Sequence, residues 1–87
     1  MVSRKVNVTA PAGLHARPVG ELVKLVKGFT SSTVTLSDGR KTVKASSMLS
    51  ILSLGAASGT VLEVCVEGGD EAQVLADVAD FIANIKD

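Results

Sequence analysis

The sequence predicts an α+β fold: an open-faced β-sandwich in which a four-stranded antiparallel sheet carries three helices on one face (βαββαβα). Three observations lead there. The hydrophobic period alternates along the chain between two and about 3.6 residues, in the order strand, helix, strand, strand, helix, strand, helix. Each strand keeps a mainly polar outer parity, so one sheet face meets water while the other receives the helices. The 87 residues, 46% apolar and 21% charged, suit one globular domain over 1–87, with no repeat, low-complexity tract or linker.

Residues 2–9 alternate, with Val2, Val6 and Val8 on one parity and Ser3, Lys5, Asn7 and Thr9 on the other. Pro11, Ala12 and Gly13 break the strand. From Ala16 the period changes: Val19, Leu22, Val23 and Val26 line one helical face, and Gly28 is placed to cap its end. Residues 33–37 and 40–45 alternate around Asp38-Gly39, which predicts a hairpin. A short helix is expected over about Met48–Leu54, with serine before it and Gly55 behind. The fourth strand runs over 60–67 with Leu62, Val64 and Val66 inward. After Gly68-Gly69, Asp70 and Gln73 form a capping-box pattern. It opens a last helix whose stripe is Leu75, Val78, Ala79, Ile82 and Ile85.

Composition removes several function classes. Nine basic and nine acidic side chains cancel, and Phe29 and Phe81 are the only aromatics, so neither a bulk charge nor a stacking platform for nucleic acid is present. The lone Cys65 forms no internal disulfide and no multi-cysteine metal site, and it suits a reducing compartment. Apolar runs fall far short of the ~20 residues of a membrane span, and Met1 is followed by a strand pattern and not by a leader segment. The expectation is a cytoplasmic protein without metal or cofactor and without membrane insertion. The charge is uneven along the chain: eight basic residues stand against Glu21 and Asp38 through Lys44, and beyond it Lys86 stands against seven carboxylates. This becomes a surface dipole only if the fold segregates the halves.

The single histidine lies in Gly13-Leu14-His15-Ala16-Arg17-Pro18, at the mouth of the first predicted helix. The first amides of a helix lack intrahelical acceptors and the macrodipole places positive charge there, so an anion beside them is stabilised. The same field, with Arg17 near, favours the neutral, nucleophilic imidazole. A phosphoryl group on His15 would be held by Arg17 together with the amides of Ala16 and Arg17. Pro18 suits helix initiation because the first turn does not use its missing N–H, and Gly13 lets the loop pass close to the ring. The plainer reading makes His15 a polar residue at a helix start and Arg17 a surface charge. There is no second histidine, no metal-ligand spacing and no Gly-rich loop ending in Gly-Lys-Ser/Thr.

The second constellation is Ser46-Ser47-Met48-Leu49-Ser50-Ile51-Leu52-Ser53-Leu54-Gly55. Ser47 is placed to cap the short helix. One buried face cannot take Met48, Leu49, Ile51, Leu52 and Leu54 together, so part of the set forms an exposed patch suited to docking partners.

The two motifs and the element order resemble the histidine-containing phosphocarrier (HPr) family of the bacterial sugar phosphotransferase system, over essentially the whole chain. The resemblance implies that His15 takes a phosphoryl group on Nδ1 from phosphorylated enzyme I and passes it to sugar-specific IIA units. It implies Arg17 beside the phosphate, and Met48, Leu49 and Leu52 in the docking patch of a monomer. Such a carrier is modified by its partners and turns nothing over by itself. Many relatives also carry a regulatory serine at the start of the short helix, the target of an HPr kinase/phosphorylase. Counting back from Leu54-Gly55 gives Ser47, and counting forward from the Gly39 hairpin gives Ser46; the segment is one residue longer than the usual pattern.

Two rivals share these elements. A small phosphatase would use Arg17 and loop amides to hold phosphate while water attacks, but Asn7 and Asn84 fall in predicted elements far from the loop and leave no water-orienting amide. A purely regulatory module of the same family would tend to lack the histidine that stands here.

Overall fold

The structure, a computed structural model, describes residues 1–85; Lys86 and Asp87 of the charge count lie outside them. The elements are β1 (Val2–Asn7), α1 (Ala16–Lys27), β2 (Thr33–Ser37), β3 (Thr42–Lys44), α2 (Met48–Ser53), β4 (Val61–Glu67) and α3 (Glu71–Ala83). The four strands form one antiparallel sheet, as expected, in the order β1-β4-β2-β3. Helix α3 lies over β1 and β4, and α1 packs against both α2 and α3.

Register explains the two faces. The pairs Val6↔Leu62, Leu36↔Val64 and Val34↔Val66 turn inward, and all six side chains are buried. The pairs Lys5↔Glu63 and Ser37↔Glu63, and Ser3↔Cys65 and Thr35↔Cys65, fall on the opposite parity and build the polar face. From the helices, Val19, Leu22, Ile51, Val78 and Ile82 close the core, and among the described residues no polar or charged residue is buried. Burial of this apolar layer is the main stabilising term.

Several boundaries move for identifiable reasons. The strand expected over 40–45 begins at Thr42, because the Asp38 carboxylate accepts the Arg40 and Lys41 amides, each at 2.9 Å, and draws both residues into the turn. Strand β1 ends at Asn7, two residues short of the expected 9, although Val8 still donates to Thr60 O at 2.8 Å. Gly28 caps α1 as expected but stays right-handed (φ −72°), so its glycine freedom is unused. Helix α2 stops at Ser53 with Leu54 as the cap, and Gly55 takes the left-handed turn at φ 62°. In α3, Val74 joins the buried stripe, while Ile85 is buried just beyond the helix.

The predicted capping box is half made. Asp70 accepts the Gln73 amide at 3.5 Å, but the Gln73 side chain donates to Asp77 Oδ1 at 2.9 Å and does not reach back. Glu71 does the reaching: the Gly68 amide donates to its Oε2 at 2.8 Å, and the Met1 ammonium lies 3.1 Å from Oε1.

The charge asymmetry is segregated on the helices and mixed on the sheet. Arg17, Lys24 and Lys27 share α1 with Glu21, whereas α3 carries Glu71, Asp77 and Asp80 and no basic residue. On the outer sheet face, Lys5 sits opposite Glu63.

Two carboxylates tie stability to acid. The Arg40 and Lys41 amides hold Asp38 below the ordinary 3.8, and the Gly68 amide followed by the amino terminus holds Glu71 below 4.5. A group whose folded pKa is depressed contributes stability that is complete above its unfolded value and lost as pH falls through the folded one. Urea midpoints measured from neutral pH down through these values should therefore decline, and D38N/E71Q should flatten that decline. An unchanged slope in the double variant would contradict this assignment.

Candidate functional site

The segment before α1 is held by backbone. Pro11 and Ala12 turn the chain, and the Gly13 amide donates to Ala10 O at 2.9 Å. The Leu14 amide then donates to Ala56 O at 2.8 Å, and the Leu14 side chain is buried. Gly13 sits at φ 71°, and a Cβ built there would collide with Ala56 O and lie 2.8 Å from Ala57 Cα. Only glycine permits this backbone crossing. The Ala57 amide in turn donates to Thr60 Oγ1 at 3.1 Å, which steadies the supporting loop.

His15 is the N-cap residue of α1, with extended backbone (φ −105°, ψ −179°), and its carbonyl accepts the first α-helical bond, from Val19 N at 3.1 Å. Its side chain makes no capping bond to the helix amides. His15 is half-buried, and Ala16 and Arg17 after it are exposed. Pro18, buried, fills the position whose amide the helix does not use. No acidic residue stands in the first turn, and the turn instead carries Arg17. An anion bound at this end of the helix would be favoured by the dipole and by the charge of Arg17. The arrangement sets the histidine at the edge of a helix start whose first turn carries a cation and no carboxylate.

The second motif divides as its composition demands. Ile51 and Leu54 enter the core, and Leu52 is half-buried against it. Leu49 is 81% exposed and Met48 36%, so these two present apolar surface to solvent. Ser47 is the N-cap: its Oγ accepts the Ser50 amide at 3.4 Å, and it is half-buried, whereas Ser46 precedes the cap and is exposed. At the other end of α2, Lys41 Nζ donates to Ser53 Oγ at 2.9 Å, which ties the β2–β3 turn to the helix.

The structure brings the two motifs together through the chain that follows α2. Leu54 and Gly55 lead directly to Ala56 and Ala57, on which Gly13 and Leu14 rest. Ser47 lies beyond the far end of α2, a helix roughly 9 Å long. The supporting roles of Ala56, Ala57 and Thr60 had no signal in the sequence, because two alanines and a threonine carry no motif and their partners lie far away along the chain. Among the described residues no group of three or more His, Cys, Asp or Glu side chains could hold a metal ion, and no helix is long and apolar enough to cross a membrane.

Comparison with known proteins finds a family model described as "PTS HPr component phosphorylation site" matching residues 2–84. Phosphocarrier protein HPr of Haemophilus influenzae is 34% identical over 86 residues, 99% of this chain and 100% of that protein. Its counterpart in Borreliella burgdorferi is 34% identical over 87 residues, with both chains fully covered. Among solved structures, HPr from Bacillus anthracis superposes with a TM-score of 0.87 at 30% identity, covering 93% of this chain and 95% of the other.

The Gly13 contact yields a direct test by urea unfolding. Gly13→Ala should cost about 3 kcal/mol, because left-handed strain adds to a collision with backbone that cannot yield. Gly39→Ala, at φ 93° with nothing within 4 Å of a built Cβ, should cost only about 1 kcal/mol. Equal losses would mean that the crossing at Ala56 does not constrain the loop.

Proposed function

The chain belongs to the HPr family of phosphocarrier proteins of the phosphotransferase system, and from that premise we propose that it carries a phosphoryl group on Nδ1 of His15. The observation that supports this most is the placement of the chain's single histidine at the N-cap of α1, beside Arg17 and on a pinned backbone. The imidazole lone pair attacks phosphorus, the donor's bond to phosphorus breaks, and its electron pair leaves with the donor. Arg17 and the amides of Ala16 and Arg17 compensate the charge of the transferring group. Pro18 and Gly13 act on geometry alone.

The donor in this reading is phosphorylated enzyme I and the acceptors are the IIA units of sugar permeases. The protein works as one domain over 1–87, as a cytoplasmic monomer, without cofactor and without turnover of its own. Met48, Leu49 and Leu52 form the apolar part of the surface that meets both kinds of partner. Arg17, Lys24 and Lys27 on α1 steer partners whose docking surfaces are acidic.

A kinase/phosphorylase would act at Ser47. That serine opens α2, where a phosphate gains from the helix N-terminus, and it lies one residue from the exposed Met48. A charge placed there weakens partner docking through the patch, by desolvation and by repulsion of acidic groups.

Incubation with phosphoenolpyruvate and enzyme I should give an acid-labile, alkali-stable phosphate that His15→Ala abolishes. Arg17→Glu should keep the fold and lower the transfer rate by roughly 100-fold. An adduct that survives His15→Ala, or unchanged kinetics in the Arg17 variant, would refute the assignment. Release of phosphate from an acyl phosphate without enzyme I would favour a phosphatase. For the serine, mass spectrometry after treatment with an HPr kinase and ATP should place the phosphate on Ser47; modification of Ser46 would overturn the helix-start argument.

A further inference from the structure

A shallow groove of about 270 Å3 opens where the end of α1, the start of β2 and the link from β3 to α2 meet. Lys27 reaches it from α1, Lys44 from β3, Thr30 from the α1–β2 loop and Ser46 from the segment before α2, with Phe29 forming an apolar wall. No carboxylate lines the groove, and among the described residues neither lysine has an ion-pair partner. Thr30 and Ser46 are exposed, whereas the Ser32 hydroxyl is committed to Gly68 O at 2.8 Å. Lys27 has a local reason to be where it is, since it offsets the negative end of the α1 dipole. Lys44 comes from a different element, on the polar parity opposite Thr35, and brings a second like charge to the lining of the same opening. Two lysines lining one opening place like charges around it, which an anion held between them would offset.

We propose that this groove binds a small phosphomonoester, with its phosphate between Lys27 and Lys44 and its carbon chain along Phe29. A dianionic phosphate answers both ammonium groups and accepts from the hydroxyls of Thr30 and Ser46, whereas a single carboxylate answers one ammonium group only. The volume suits a short carbon skeleton. The site lies at the opposite end of α1 from His15, roughly 18 Å along the helix axis. It does not depend on the phosphocarrier reading.

The test is a titration of the isotope-labelled protein with glycerol 3-phosphate at low salt, followed by amide chemical shifts, with glycerol as the neutral control. The expected result is saturable shifts at Lys27, Thr30, Lys44 and Ser46 with a Kd on the order of 1 mM, and none with glycerol. Inorganic phosphate should bind more weakly at the same residues; equal affinity would overturn the role of Phe29. The K27Q/K44Q variant should lose about tenfold or more in affinity while the rest of its spectrum stays in place. Shifts confined to Ala16 and Arg17, shifts that do not saturate, or groove shifts of equal affinity in the double variant would each overturn the proposal.

Discussion

The backbone crossing between Gly13-Leu14 and Ala56-Ala57 is the contact on which the arrangement of this molecule turns. A left-handed glycine lets two main chains touch, and a hydrogen bond of 2.8 Å from Leu14 to Ala56 locks them. The start of α1 is thereby set where the end of α2 delivers its own chain. His15 comes immediately after the locked residue, so its backbone has little freedom left to place the ring elsewhere. The buried Leu14 below and the buried Pro18 in the first turn hold the same segment from the core side.

Fold and site draw on different residues, and this separation matters physically. The interior is apolar throughout, with no buried polar side chain among the described residues whose hydrogen bonding could conflict with packing. His15 and Arg17, the residues proposed to carry the chemistry, sit at the surface of that frame, at the start of α1. Helix α2 serves both purposes. Ile51 and Leu54 anchor it while Met48 and Leu49 stay exposed, so an apolar surface is held in place without destabilising the core.

Much of this was legible in the sequence because strict alternation and helical spacing leave few ways to bury the same valines and leucines. The element order, the inward residues of the strands and the cap at Ser47 follow from local pattern alone. So does the place of His15 at a helix mouth, since Pro18 and the apolar stripe behind it mark the start of α1. Local pattern failed where a side chain competes with the backbone: Asp38 takes two amides from the expected strand, and Gln73 turns to Asp77 instead of completing its box. It was silent where the deciding partner is distant, as with Ala56 under Gly13. A glycine in a loop signals a turn; which chain it must approach is decided by the tertiary fold.

The most direct measurement is phosphorus NMR of the chain after phosphorylation by enzyme I and phosphoenolpyruvate, with correlation from phosphorus to the imidazole protons and hydrogen exchange read at the Leu14 amide. One phosphoramidate resonance coupled to the His15 ring is expected, with Leu14 as protected as before, because the backbone crossing that positions His15 is already locked. A phosphorus signal without coupling to that ring, or a Leu14 amide that exchanges as fast as an open loop, would contradict it.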